Sequence, residues 1–170
     1  MIIKSEVVHN AIKKTVKNLN NFSLVYLSPQ GKKLNQDKVK ELTNKKNLVL
    51  LCGKYEGIDQ RVIDKWNIEE ISIGDYILSG GEIAAMNLID SCVRLLPGVL
   101  GSSQSLESET FENNLLEYPQ YTKPRNWMGK KVPNVLLSGN HKKIKEWRKK
   151  ESLRVTKNKR PDLLKKVVKK

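Results

Sequence analysis

The segment Ile73-Gly74-Asp75-Tyr76-Ile77-Leu78-Ser79-Gly80-Gly81-Glu82 sets three glycines and one Asp into an apolar run, just ahead of an amphipathic stretch. Residues of this kind bind a flat ligand through the backbone. Glycine has no Cβ to hold a ligand away and tolerates the left-handed conformations of a sharply folded loop. Two more loops share the character: Tyr26-Leu27-Ser28-Pro29-Gln30-Gly31 and Leu50-Leu51-Cys52-Gly53-Lys54-Tyr55-Glu56-Gly57, each following an apolar stretch. Three strand ends can therefore converge on one pocket, the usual ligand site of open α/β sheets. Cys52 and Cys92 sit in apolar surroundings and read as buried free thiols. With only His9 and His141 beside them, no metal-ligand spacing emerges.

The elements that must position these loops alternate along the chain. Ser5 can cap a helix carrying Val7, Val8, Ala11, Ile12 and Val16 on one face, and Asn18 to Asn21 breaks the pattern. Phe22 to Leu27 reads as a strand ended by Ser28-Pro29, because proline removes a ladder donor. A helix over Asn35 to Thr43 leads to Leu48-Val49-Leu50-Leu51, whose continuous hydrophobicity predicts a strand buried on both faces. Gly57 to Trp66 is predicted helical, Glu70 to Ile73 a short strand, and Glu82 to Leu96 a long helix stopped by Pro97-Gly98. Such alternation implies an α/β domain with a parallel sheet over residues 1–100. The polar stretch Gly101 to Glu109 opens a linker, taken as 101–114, and 115–170 forms a second, helical part. There, Asn140 can cap a helix burying Ile144 and Trp147, and Pro161 suits the first turn of a last helix with Leu163 and Leu164.

Charge separates the two parts. Residues 1–100 carry 14 Lys/Arg against 11 Asp/Glu, whereas residues 101–170 carry 18 against 7, so most of the net charge of +14 lies in the second part. Clustered cations release counterions from phosphates, which points to a nucleic-acid partner; the competing reading is a solvated basic tail. No run approaches the roughly 18 apolar residues of a membrane span, and no signal-peptide pattern opens the chain. A cytoplasmic protein without a membrane partner is expected.

Five segments together resemble one family. Tyr26 to Gly31, Cys52 to Asp59, Ser72 to Glu82, Pro97-Gly98-Val99-Leu100-Gly101 and Leu137-Ser138-Gly139-Asn140-His141 match the bacterial tRNA (guanine-N1)-methyltransferases, which modify the guanine next to the anticodon, at position 37. The resemblance covers almost the whole chain, with the segments in order and nearly in register. It implies a trefoil-knotted SPOUT methyltransferase domain followed by a small helical domain, a homodimer whose subunits share each active site, and S-adenosyl-L-methionine as methyl donor. Gly53, Ile73, Gly74, Tyr76 and Leu78 would then give backbone contacts and an apolar slot for adenine. Leu27, Ser28 and Pro29 would line the pocket, and Tyr55, Glu56 and Gly57 would flank the ribose and methionine. Asp75, Ile77, Gly80 and Gly81 complete the set. Mg²⁺ is a further expectation of the family.

Methylation at guanine N1 needs a base near N1 and a cation near O6, where negative charge collects. By resemblance Arg94 is that cation, its permanent charge and forked donors suiting O6. The family places an Asp ahead of a Ser-Phe pair; this chain has Glu109-Thr110-Phe111, so Glu109 is the expected base, with Glu107 its nearby competitor. The extra methylene moves the carboxylate by more than ~1 Å, a misplacement that can cost ~100-fold in rate unless the linker absorbs it.

Family members also begin with a further strand and a glycine-rich loop before the position of Met1, and their carboxyl ends extend further. The tRNA is expected to lie on the basic second part, with Lys142, Lys143, Arg148 and Arg154 as phosphate contacts and its guanine flipped out. His141 either stacks near the anticodon or makes a structural bond at a helix start. A non-catalytic RNA-binding remnant, inactive without the N-terminal segment, is the alternative from another class. A knotted methyltransferase for another RNA position is the third, and the linker and Leu137 to His141 argue against it.

Overall fold

The structure is a computed structural model that describes residues 1–99, 110–111 and 114–165. The chain divides into two compact units, Met1–Gly101 and Ser102–Lys170. The first contains helix α1 (Ser5–Val16), strand β1 (Phe22–Lys33), α2 (Gln36–Thr43), β2 (Asn47–Cys52), α3 (Gln60–Trp66), β3 (Glu69–Ser72) and α4 (Glu82–Val93). Its sheet has the order β2-β1-β3 and both pairings are parallel.

Strand alternation splits the core of this unit into two layers. Leu24 and Tyr26 of β1 pack with Val8 and Ile12 of α1 and with Val62 and Ile63 of α3. The neighbouring Val25 and Leu27 pack on the other face with Leu42 of α2, Ile71 of β3, and Ala84, Ala85 and Leu88 of α4. Successive side chains of a strand point to opposite faces, so β1 alone supplies both layers. The strand buried on both sides is therefore β1; β2, expected in that place, is half-buried along its length because it occupies a sheet edge.

Three further expectations change locally. Ser5 is the first helical residue and Lys4 holds the extended cap position with no side-chain cap bond, while Val7 and Ala11 of α1 face solvent. Strand β1 does not stop at Ser28-Pro29. Ile71 pairs first with Leu27 and then with Lys32, so residues 28–31 bulge out of the ladder and pairing resumes at Lys32 and continues at Lys33 with Ser72. Proline in a bulge loses no ladder bond, which removes the reason for ending the strand there. Helix α4 stops at Val93, Arg94 forming its C-cap and looser turns carrying the chain through Leu96.

In the second unit a hairpin, β4 (Asn126–Trp127) and β5 (Lys130–Lys131), precedes a 3₁₀ turn at Asn134–Leu137, α5 (His141–Lys159) and α6 (Pro161–Lys165). Asn140 caps α5 by accepting a bond from the Lys143 N–H at 3.1 Å. Fully buried Thr156 accepts a bond from the Leu116 N–H at 2.8 Å and donates to the Ser152 carbonyl at 2.7 Å, tying the preceding chain to α5. Ile144 and Trp147 are half-buried, and the Trp147 ring lies 6.3 Å from that of Tyr121.

Candidate active site

Three loops at the carboxyl ends of β1's first segment, β2 and β3 enclose a cavity of about 610 Å³. Its lining includes Leu27, Ser28 and Pro29 from the bulge, Gly53, Tyr55, Glu56 and Gly57 after β2, and Ile73, Gly74, Tyr76, Ile77, Leu78, Gly80 and Gly81 after β3. Asp75 is the one pocket residue expected from the sequence that does not line it; its carboxylate turns to an ion pair with Lys33.

Backbone bonds stitch the second and third loops together. The Gly81 N–H donates to the Gly53 carbonyl at 2.9 Å, and Lys54 and Gly80 form an isolated antiparallel bridge. A Cβ at Gly81 would sit 2.9 Å from Cys52 Cα and 3.0 Å from Gly53 N, both backbone atoms. A Cβ at Gly53 would meet the Tyr26 hydroxyl at 2.7 Å. The loops close only because both positions are bare, and the same bareness exposes peptide groups to a ligand. Ser72 fixes the entry of the third loop: its Oγ accepts a bond from the Gly74 N–H at 3.2 Å and donates to the Gly74 carbonyl at 2.9 Å.

The Tyr26 phenol lies beneath Gly53 and Gly57 in the cavity lining. Burial, reinforced by the Glu70 carboxylate, raises this phenol above its usual range, so it stays neutral near pH 7. At the rim, hydrogen bonds from the Arg61 side chain and backbone hold the Asp59 carboxyl down at about 2. Apolar side chains, a neutral phenol and a few charged groups suit a flat heteroaromatic ring joined to a polar chain. Ile2, Gln60, Ile63 and Ala84 join this lining without having been singled out from the sequence. Ser72-Ile73-Gly74 carried a legible signal, since a Ser two residues before Gly forms such turns.

Arg94 does not line the cavity. It closes the far end of α4, thirteen residues from Gly81, or roughly 20 Å at 1.5 Å per residue. Glu109 and Glu107 lie outside the described residues. In the second unit, exposed His141, Lys142 and Lys143 form the first turn of α5. Arg148 stacks 4.9 Å from the Tyr118 ring centre, and Arg154 holds Glu151 through two bonds of 2.9 and 2.7 Å. Among the described residues no group of three or more His, Cys, Asp or Glu could hold a metal ion, both cysteines are free, and no helix is long and apolar enough to cross a membrane.

Comparison with known proteins bears on the same elements. Residues 1–166 match the family described as tRNA (Guanine-1)-methyltransferase TrmD. A tRNA (guanine-N(1)-)-methyltransferase of Clostridioides difficile (strain 630) is 54% identical over 168 residues, covering 98% of this chain and 73% of the relative. The proteins of the same name from Ehrlichia canis (strain Jake) and Pelagibacter ubique (strain HTCC1062) are 53% and 52% identical, over 96% and 99% of this chain and 70% and 73% of theirs. With the three-loop cavity and nearly the whole sequence inside one match, this chain belongs to the tRNA (guanine-1)-methyltransferase family.

Proposed function

We propose that this protein transfers a methyl group from S-adenosyl-L-methionine to N1 of the guanine at position 37 of tRNA, working as a homodimer with shared active sites. The observation that carries the reading is the cavity whose walls close at two positions where no Cβ fits, Gly53 and Gly81, beside the Tyr26 phenol. Leu78, Ile73 and Tyr76 offer the apolar slot for adenine, and Glu56 and Tyr55 the polar side for ribose and methionine. The stitching of the Gly53 loop to Gly80 and Gly81 is the contact expected where a trefoil knot threads one loop through another.

When bound, the donor supplies an electrophilic methyl on a sulfonium sulfur. The protein's part is to take the N1 proton onto a carboxylate, assigned to Glu109, and to hold the charge growing on O6 with Arg94. The N1–carbon bond forms as the carbon–sulfur bond breaks. Separation of Arg94 from the cavity within one protomer favours completion by a second copy. Helix α4 supports this, because Ile83, Met86, Ile89 and Val93 form one face that is 41–65% exposed, opposite buried Ala84, Ala85 and Leu88. A contiguous apolar face of this kind marks an interaction surface. Lys142, Lys143, Arg148 and Arg154 are assigned to tRNA phosphates.

Titration calorimetry with S-adenosyl-L-methionine and single-turnover methylation of an unmodified tRNA transcript test the reading together. Donor binding and N1-methylguanine at position 37 are expected. Failure to bind the donor would instead leave an RNA-binding protein without catalysis, and unchanged methylation by Glu109→Ala would remove Glu109 as base.

A further inference from the structure

The hairpin of the second unit presents an indole with no hydrogen-bond or ring partner among the described residues. Trp127 is 63% exposed and the following Met128 84%. The strand pairs Asn126 with Lys131 and Trp127 with Lys130, and the Val132 N–H donates to the Arg125 carbonyl at 3.0 Å. Directly paired residues share a face and alternate residues return to it, so Arg125, Trp127 and Lys130 lie on one side of the ribbon. Met128 and Gly129 turn the chain with φ of 47° and 78°, both positive as a tight two-residue hairpin loop requires. The platform is held by its own turn.

Its surroundings define the occupant. From Tyr118 to Lys145 the sequence carries seven cations, Lys123, Arg125, Lys130, Lys131, Lys142, Lys143 and Lys145, and no Asp or Glu. An exposed indole between an Arg and a Lys, in a segment free of carboxylates, complements a polyanion that also offers flat faces. Unpaired nucleotides meet both demands, since a base stacks on an aromatic ring while its phosphates meet the cations. Duplex RNA meets only the second, its bases being stacked on one another.

We infer that the Arg125–Val132 hairpin is a stacking subsite for an unpaired base of the RNA substrate, with Trp127 as the platform and Arg125 and Lys130 on the flanking phosphates. The identification of that RNA as tRNA rests on the proposed function; the stacking itself does not.

The test measures binding of an unmodified tRNA transcript, a duplex RNA of about 20 base pairs and heparin to the full chain and its variants. Trp127→Ala is expected to weaken transcript binding about tenfold, with Trp127→Phe within about threefold of wild type, and to leave heparin and duplex binding unchanged. Arg125→Ala with Lys130→Ala should make the salt dependence shallower by roughly 1.4 in log–log slope, about 0.7 per lost single-strand phosphate contact. Unchanged transcript binding by Trp127→Ala overturns the inference and leaves an acidic protein segment as the occupant. An equal loss on heparin or duplex also overturns it, because bases would then play no part. S-adenosyl-L-methionine titration of the same samples reads the donor pocket separately: wild type that stacks RNA through Trp127 but binds no donor sinks the proposed function alone.

Discussion

At the scale of single residues, the cavity depends on atoms that are missing. Gly81→Ala would press a Cβ to 2.9 Å from Cys52 Cα, and backbone cannot yield as a side chain tip can. Overpacking of this kind costs about 1–3 kcal/mol. Since 1.4 kcal/mol is tenfold in affinity, donor binding by calorimetry should fall about tenfold or more, and an unaffected affinity would dissociate Gly81 from the pocket. Asp59 gives a second residue-level expectation. Arg61 holds its carboxyl at about 2 in the folded protein against 3.8 ordinarily. A depressed folded value means that the stabilisation is complete above the ordinary value and is lost as pH falls toward 2. The melting-temperature difference between wild type and Asp59→Asn should therefore stay constant from pH 7 to about 5 and shrink below that; a difference independent of pH would contradict it.

At the scale of elements, the decisive features are ties between segments. Thr156 is fully buried and serves the Leu116 N–H, so Thr156→Val keeps the shape and removes the acceptor. Leaving a buried N–H without a partner costs about 1–3 kcal/mol, and chemical denaturation should register that loss in the second unit. Asn140→Ala removes the cap of α5 and should cost about 1 kcal/mol, visible as fraying of the turn that carries His141, Lys142 and Lys143. In the first unit, β1's bulge over residues 28–31 turns Ser28 and Pro29 into cavity wall while the strand continues beyond them.

For the whole molecule, the proposed dimer and the charge distribution make separate predictions. Met86→Asp with Ile89→Asp on the exposed face of α4 should shift sedimentation to a monomer and abolish methylation if each active site needs two copies. Persistence of a dimer would place its interface elsewhere. The excess of 18 Lys/Arg over 7 Asp/Glu in residues 101–170 predicts tRNA affinity that falls steeply with salt, and a flat response would argue against phosphate contacts.

The sequence by itself determined the alternation of helices and strands, the three loops and the family, because periodicity, Gly and Pro placement and local motifs are properties of neighbouring residues. Gly53, Gly81 and the cap at Asn140 were legible for that reason. Tertiary structure alone decided that β1 rather than β2 is buried on both faces, since an edge position depends on which strands pair and not on how apolar a strand is. It also decided that Asp75 turns away to Lys33, that Tyr26 forms the floor beneath two glycines, and that Arg94 stands at the far end of α4 from the cavity. Each is a relation between residues distant in the chain, and such relations exist only once packing has fixed which surfaces meet.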